Sequence, residues 1–186
     1  MRLGKLFGLI VVLGLTMLAL PAAQMRPLPL AELARSADLV VHAVVQSKTC
    51  QRDAAGRIFT KVELSVSEVW KGTTTNATLT VFHGGGTVGD EHTEVSGQVK
   101  YIVGEEVVAF LVFNPRGEPV TLGLAQGEFR IARDATTGEK LARNIFHGGE
   151  ATPSNTISLA SGSASPAPAL RLTLSELQQA VKDAQP

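Results

Sequence analysis

The chain has 186 residues, 17 basic and 17 acidic side chains, and no formal net charge. Its hydrophobic fraction is 44% and its charged fraction 18%, against about 25% charged in soluble domains, so it is too apolar to be disordered throughout. One cysteine excludes an internal disulfide and a cysteine-built zinc site, and no basic stretch exists to hold nucleic acid.

The first segment accounts for part of the apolar excess. Arg2 and Lys5 precede an uncharged run over 6–20, and Pro21-Ala22-Ala23 follows. A basic start, a short apolar run and a small-residue exit predict a secretory signal peptide over 1–23. The run is short for a membrane-spanning helix, which needs about 20 apolar residues. Removing it leaves 163 residues with 15 basic and 17 acidic groups, a net charge of −2. The only cysteine, Cys50, lies too far downstream to carry a lipid anchor. It sits between Lys48 and Arg52 and reads as an unpaired residue at a strand end, with an intermolecular disulfide as the other reading.

Residues 29–37 predict a short helix, because Leu30, Leu33, Ala34 and Ala37 share a face at helical spacing. Residues 38–45 switch to a β-branched run and predict a strand, with His42 on its less buried face. A polar turn over 53–57 precedes the clearest strand. There Ile58, Thr60, Val62, Leu64 and Val66 alternate with polar or outward residues, and Trp70 closes it on the core edge. Another short strand is predicted over 78–82, then a loop over 83–97 and an edge segment over 99–103. Residues 107–113 form an unbroken apolar run, expected to be buried on both faces. Asn114-Pro115-Arg116-Gly117 predicts a hairpin turn. Strands are expected over 120–124, 128–132 and 140–146, with a turn over 134–138.

Residues 151–169 are Ser, Ala, Pro, Thr and Gly with almost no charge, the composition of a flexible linker. The tail, 170–186, carries a capping box, Thr173 with Glu176, and places Leu174, Leu177 and Val181 on one helix face. Whether that helix docks is left open by its narrow face. Strand spacing near ten residues favours a small barrel or sandwich. The expected fold is mainly β: a small antiparallel OB-like barrel over 24–150, with a short N-terminal helix, and a C-terminal helix beyond the linker.

Three motifs suggest chemistry. Gly84-Gly85-Gly86-Thr87-Val88-Gly89 matches G-x-G-x-x-G, but acidic residues follow where a phosphate-binding helix would be needed. His83-Gly84-Gly85-Gly86 matches the oxyanion loop of lipases, yet no serine lies on a G-x-S-x-G elbow. His83, Asp90, Glu91, His92 and Glu94 carry imidazole and carboxylate groups suited to a divalent metal. His83, Asp90 and His92 are the metal candidates, with His147 as a conceivable third imidazole. Asn76-Ala77-Thr78 is a glycosylation acceptor in a host that glycosylates.

Several segments together carry a resemblance. They are Ala37-Asp38-Leu39-Val40-Val41, Gly56-Arg57-Ile58-Phe59-Thr60, Glu68-Val69-Trp70-Lys71-Gly72, Gly85-Gly86-Thr87-Val88-Gly89, and the stretches 104–111 and 123–130. Across about residues 30–134 the chain resembles a group of uncharacterised secreted bacterial proteins. More distantly it is similar to netrin-like domains, including the tissue inhibitors of metalloproteinases. The resemblance implies a five- or six-stranded barrel with a flanking helix. Those inhibitors ligate a protease zinc through an N-terminal cysteine held by disulfides. This sequence has neither, so no inhibitory residue carries over.

The expected function is that of an exported, secreted or periplasmic, non-catalytic β-barrel that binds a protein or envelope component. No cofactor, nucleic acid or membrane span of the mature chain is expected. The contact surface is placed on the 83–97 loop, at Gly86, Val88, Asp90, Glu91 and Glu94, because functional residues favour loops on rigid scaffolds. The alternative is a metal-binding protein or metal-assisted hydrolase built on residues 83–94.

Overall fold

A computed structural model describes residues 26–147 and 171–185. The expected signal peptide and linker lie outside the described residues. Helix α1 (Leu30–Ser36) leads into strands β1 (Leu39–Arg52), β2 (Ile58–Lys71), β3 (Thr78–Gly84), β4 (Gly86–Val88) and β5 (Glu91–Thr93). Strands β6 (Glu106–Phe113), β7 (Pro119–Thr121), β8 (Glu128–Arg133) and β9 (Lys140–Arg143) follow, with a 3₁₀ turn (Leu124–Gly127) between β7 and β8. Helix α2 (Leu174–Asp183) ends the described chain. The protein is therefore mainly β, as its alternating apolar residues predict.

The large sheet runs β1-β2-β3-β7-β6-β8-β9, and β1 also pairs with β6. Five strands thus close a ring, β1-β2-β3-β7-β6, antiparallel at every seam except β3–β7, which is parallel and rests on one pair, Phe82 with Val120. Strand β6 gives one edge to β1. Its other edge takes β7 at residues 111–113 and β8 at 107–109. The two are one path along β6, interrupted by the 3₁₀ turn. Gly127 permits that interruption: a Cβ there would lie 2.3 Å from the Leu122 carbonyl oxygen.

Two apolar cores sandwich the shared strands. Leu39, Val41, Ala43 and Val45 of β1 meet Val62, Leu64, Val81, Val107, Ala109 and Leu111 in one core. Val40, Val108 and Phe110, the alternate residues, meet α1, α2, Trp70 and Phe129 in the other. This explains why residues 39–43 and 107–111 are buried without interruption. The burial expected of both faces of the 107–113 run ends at Leu111, and Phe113 is exposed where neither core reaches.

Several sequence expectations are corrected. β1 extends to Arg52, well past residue 45, because β2 pairs along its whole length. Residues 99–103 form no strand. Val99 and Tyr101 instead fill the first core, and the Tyr101 hydroxyl bonds the Thr121 hydroxyl at 2.9 Å. β7 stops at Thr121, because Gly123 and Leu124 both take left-handed backbone, at φ 62° and 61°. β9 ends at Arg143, where Asn144 turns the chain by accepting backbone bonds from Phe146 and His147. His42 lies on the less buried face of β1, which it shares with Val40 and the 36% exposed Val44, but it is itself buried, at 7% exposure, because that face is covered there by the helix-capped core.

Both helices are anchored from the sheet. The Lys71 ammonium donates to the carbonyls of Ala34 and Arg35 at the end of α1, at 2.8 and 2.9 Å, which satisfies open helix acceptors. The capping box at Thr173 and Glu176 forms as the sequence predicts. Helix α2 docks: Leu177 and Val181 are fully buried in the second core.

Candidate functional site

The 83–97 segment, expected to be a loop, contains a small hairpin. Gly86, Thr87 and Val88 pair with Thr93, His92 and Glu91 around a two-residue Gly89-Asp90 turn. A Gly-Asp pair between short strands is a hairpin signal, hidden here because neither strand has apolar alternation. Glu91, His92 and Thr93 are all exposed. The ribbon is fastened by the Arg52–Glu91 ion pair at 2.7 Å and by close packing at Gly86. With φ at 134°, Gly86 has no room for a side chain: a Cβ would stand 2.6 Å from Cys50 Sγ and 2.7 Å from Thr60 Oγ1.

Beneath the hairpin, β1, β2 and β3 bring a thiol, a hydroxyl and an imidazole into one row. Cys50 pairs with Thr60 and Thr60 with His83, and directly paired residues share a face of the sheet. Cys50 Sγ lies 3.4 Å from Thr60 Oγ1, whose hydroxyl donates to the Gly85 carbonyl at 2.7 Å. With the one Thr60 hydroxyl proton committed to the Gly85 carbonyl, the Cys50 S–H is the donor to Thr60 Oγ1. Burial and Lys48 lower the His83 pKa, against a raising effect of its bond to the Gly84 carbonyl. In that bond Nδ1–H donates at 3.0 Å, which leaves Nε2 as a buried lone pair without a hydrogen-bond partner among the described residues. The sequence shows Cys50 and His83 but not their alignment, which depends on strand register.

The metal candidates do not gather. His92 Nδ1 meets the Thr87 hydroxyl at 3.0 Å, Asp90 is exposed at the hairpin tip, and Glu94 faces Lys100 at 3.4 Å. His147 is half-buried at the edge of the second core, stacked on Phe129 and bonded to the Leu28 carbonyl. Among the described residues, no three His, Cys, Asp or Glu side chains converge to hold a metal ion.

A groove of about 760 Å³ opens beside the hairpin. Ile58, Phe59, Phe82, Val95 and Val120 supply its apolar lining. Phe59 and Phe82 stack at 6.3 Å, with the Lys61 ammonium over both rings at 6.0 and 5.8 Å. Three ion pairs rim it: Arg52–Glu91, Arg57–Asp53 and Arg116–Glu118. An apolar floor inside a polar rim is the anatomy of a binding interface.

A separate polar cluster lies under the helices. His42 Nε2 and the Lys140 ammonium both contact Glu106 Oε1 at 2.6 Å, and the His42 ring lies 5.7 Å from Trp70. Nothing in the sequence links these four residues before β1, β2, β6 and β9 come together.

No protein-family model matches this chain, and no curated protein matches it.

Proposed function

We propose that this chain is an exported, non-catalytic binding module, and that its contact surface is the β4–β5 hairpin with the adjoining groove. The observation that carries this reading is the hairpin itself: an exposed charged ribbon fixed on the closed ring, at the lip of an apolar groove. Its rigid seat at Gly86 limits the ordering cost of binding. Gly86, Val88, Asp90, Glu91 and Glu94 are its residues of interest, and the partner is a protein or envelope component. The five-strand ring with a flanking helix supports an OB-like barrel, the form implied by the resemblance to netrin-like domains and secreted bacterial proteins. The basic, apolar and small-residue order of residues 1–23 supports export. No helix among the described residues is long and apolar enough to cross a membrane.

The test is recovery of partners by the tagged protein from cells that export it. Reversing charge at Asp90, Glu91 and Glu94 to Lys keeps Gly86 and the core intact. The triple variant is expected to lose the partners that the unaltered protein retains. Equal recovery by a cooperatively melting variant would remove the hairpin as the contact surface. Export is checked by fractionation and by the mass of the mature chain, which should lack residues 1–23.

A further inference from the structure

The apolar floor of the groove lies on the outer face of the closed ring. Phe82 stands directly opposite Lys61 on β2 and opposite Val120 on β7, and Phe59 precedes Lys61 by two positions, on the same face. The alternate residues Val62 and Val81 point the other way, into the first core. Gly84 pairs with Phe59 and brings no side chain to cover its ring. Phe59, Phe82 and Val120 are accordingly half-buried and form one apolar strip.

The rim around this strip presents cations. In two of its three ion pairs the arginine is the exposed partner: the Arg57 side chain is 73% exposed and Asp53 23%, and Arg116 is 65% exposed and Glu118 28%. Both carboxylates are committed to their own turns. Asp53 accepts from the N–H groups of Ala55 and Arg57, and Glu118 accepts from the Asn114 amide at 2.7 Å. Each guanidinium meets its carboxylate through Nε and Nη2, which leaves Nη1 without a partner among the described residues. Lys61 has neither an ion pair nor a hydrogen bond among the described residues. Its ammonium lies 6.0 and 5.8 Å from the Phe59 and Phe82 ring centres, and its charge reaches Glu118, the partner of Arg116. Arg52, Arg57, Arg116 and Lys61 against Asp53, Glu91 and Glu118 leave one positive charge in excess.

The polar groups along the floor already have partners. The Gly84 carbonyl accepts from His83 Nδ1 at 3.0 Å and the Gly85 carbonyl from the Thr60 hydroxyl at 2.7 Å. Asn114 Oδ1 accepts the N–H groups of Arg116 and Glu118 at 2.8 and 3.0 Å. A peptide laid here would bury main-chain N–H and C=O groups against few free partners, a penalty that an acyl chain does not carry.

We propose that the groove binds a long-chain carboxylate, with its chain along Phe59, Phe82 and Val120 and its head at Arg116 and Lys61. The volume of about 760 Å³ is within the range of small-ligand sites. Arg116 suits the carboxylate because a guanidinium binds it through directed, charge-assisted bonds, and the Lys61 ammonium adds a point charge beside the rings. Such an amphiphile is an envelope-type component for the groove half of the contact surface proposed above, on which this assignment rests.

Calorimetric titration of the purified mature protein at neutral pH tests it, with dodecanoate below its micellar concentration as the probe. Saturable heat is expected. Dodecyltrimethylammonium keeps the chain and reverses the head charge, and butanoate keeps the head and shortens the chain. Each is expected to bind more weakly than dodecanoate by about tenfold or more. Lys61→Gln and Arg116→Gln are each expected to weaken dodecanoate binding by about tenfold, the effect of one charge-assisted bond. Any of four results would overturn the proposal: no saturable heat with dodecanoate, equal affinity for dodecyltrimethylammonium, equal affinity for butanoate, or unchanged affinity in both folded variants. If a variant fails to melt cooperatively, the head-group and chain-length comparisons on the unaltered protein decide. Partner recovery by the Asp90, Glu91 and Glu94 variant reads the hairpin instead, so the two experiments fail separately.

Discussion

Glu106 and Glu128 have the same side chain and opposite acid–base behaviour. Burial works to raise the Glu106 pKa, but hydrogen bonds from Lys140 and His42 outweigh it, and the carboxyl is held below its ordinary value. Glu128 is buried more deeply, with a side chain 7% exposed. Burial pushes its pKa up to about 6, with Glu105 adding to the rise and Arg130 only partly offsetting it. The folded state therefore holds a proton on Glu128 that the unfolded chain has already released above its ordinary value of 4.5. Stability falls as pH rises through the window from 4.5 to about 6. Glu128→Gln removes that dependence. The unfolding free energy of the variant relative to the unaltered protein is expected to rise by about 2 kcal/mol from acid to neutral pH. Urea unfolding of both proteins at each pH checks it, and parallel pH profiles would contradict it.

At the scale of elements, the two helices are fixed by different devices. Helix α1 has no side-chain N-cap and is held at its other end by Lys71. Helix α2 carries its own start signal in Thr173 and Glu176, with the Thr173 hydroxyl accepting from the Glu176 N–H at 3.1 Å. Thr173→Ala removes that acceptor and is expected to cost about 1 kcal/mol. A shift in the urea midpoint with an unchanged slope is the measurement. The hairpin β4–β5 shows the opposite dependence. Its strands are three residues each, too short to stand alone, so they persist through the backing of Gly86 on Cys50 and Thr60.

At the scale of the molecule, α2 belongs to the same core as the sheet. Leu177 and Val181 pack with Val40, Trp70, Val108 and Phe110, and the Gln185 amide donates to the Trp70 carbonyl at 2.8 Å. Arg171 pairs with Asp134 at the turn between β8 and β9. Leu177→Ala is expected to destabilise the whole domain by about 2–5 kcal/mol, the range for a buried leucine. Ending the chain before residue 171 should lower the melting temperature and increase dye binding to exposed apolar surface. A truncated chain that melts as the unaltered one does would contradict the shared core.

The local features were legible because they depend on neighbours along the chain. Alternation in β2, helical spacing in α1 and α2, the capping box, and the turns at 53–57, 114–117 and 134–138 each follow from a few adjacent residues. The β4–β5 hairpin had a readable Gly-Asp turn, obscured by the lack of apolar alternation. Sequence by itself also assigned the mainly β class. Only the tertiary structure decided the rest: that Val99 and Tyr101 fill a core without forming a strand, that His42 is buried beside Glu106, that Cys50, Thr60 and His83 align, and that His83, Asp90 and His92 do not. The groove over Phe59, Phe82 and Val120 belongs to the same set. These outcomes depend on strand register and ring closure between residues far apart in the chain, and such long-range pairing leaves no periodic trace in the residues it joins.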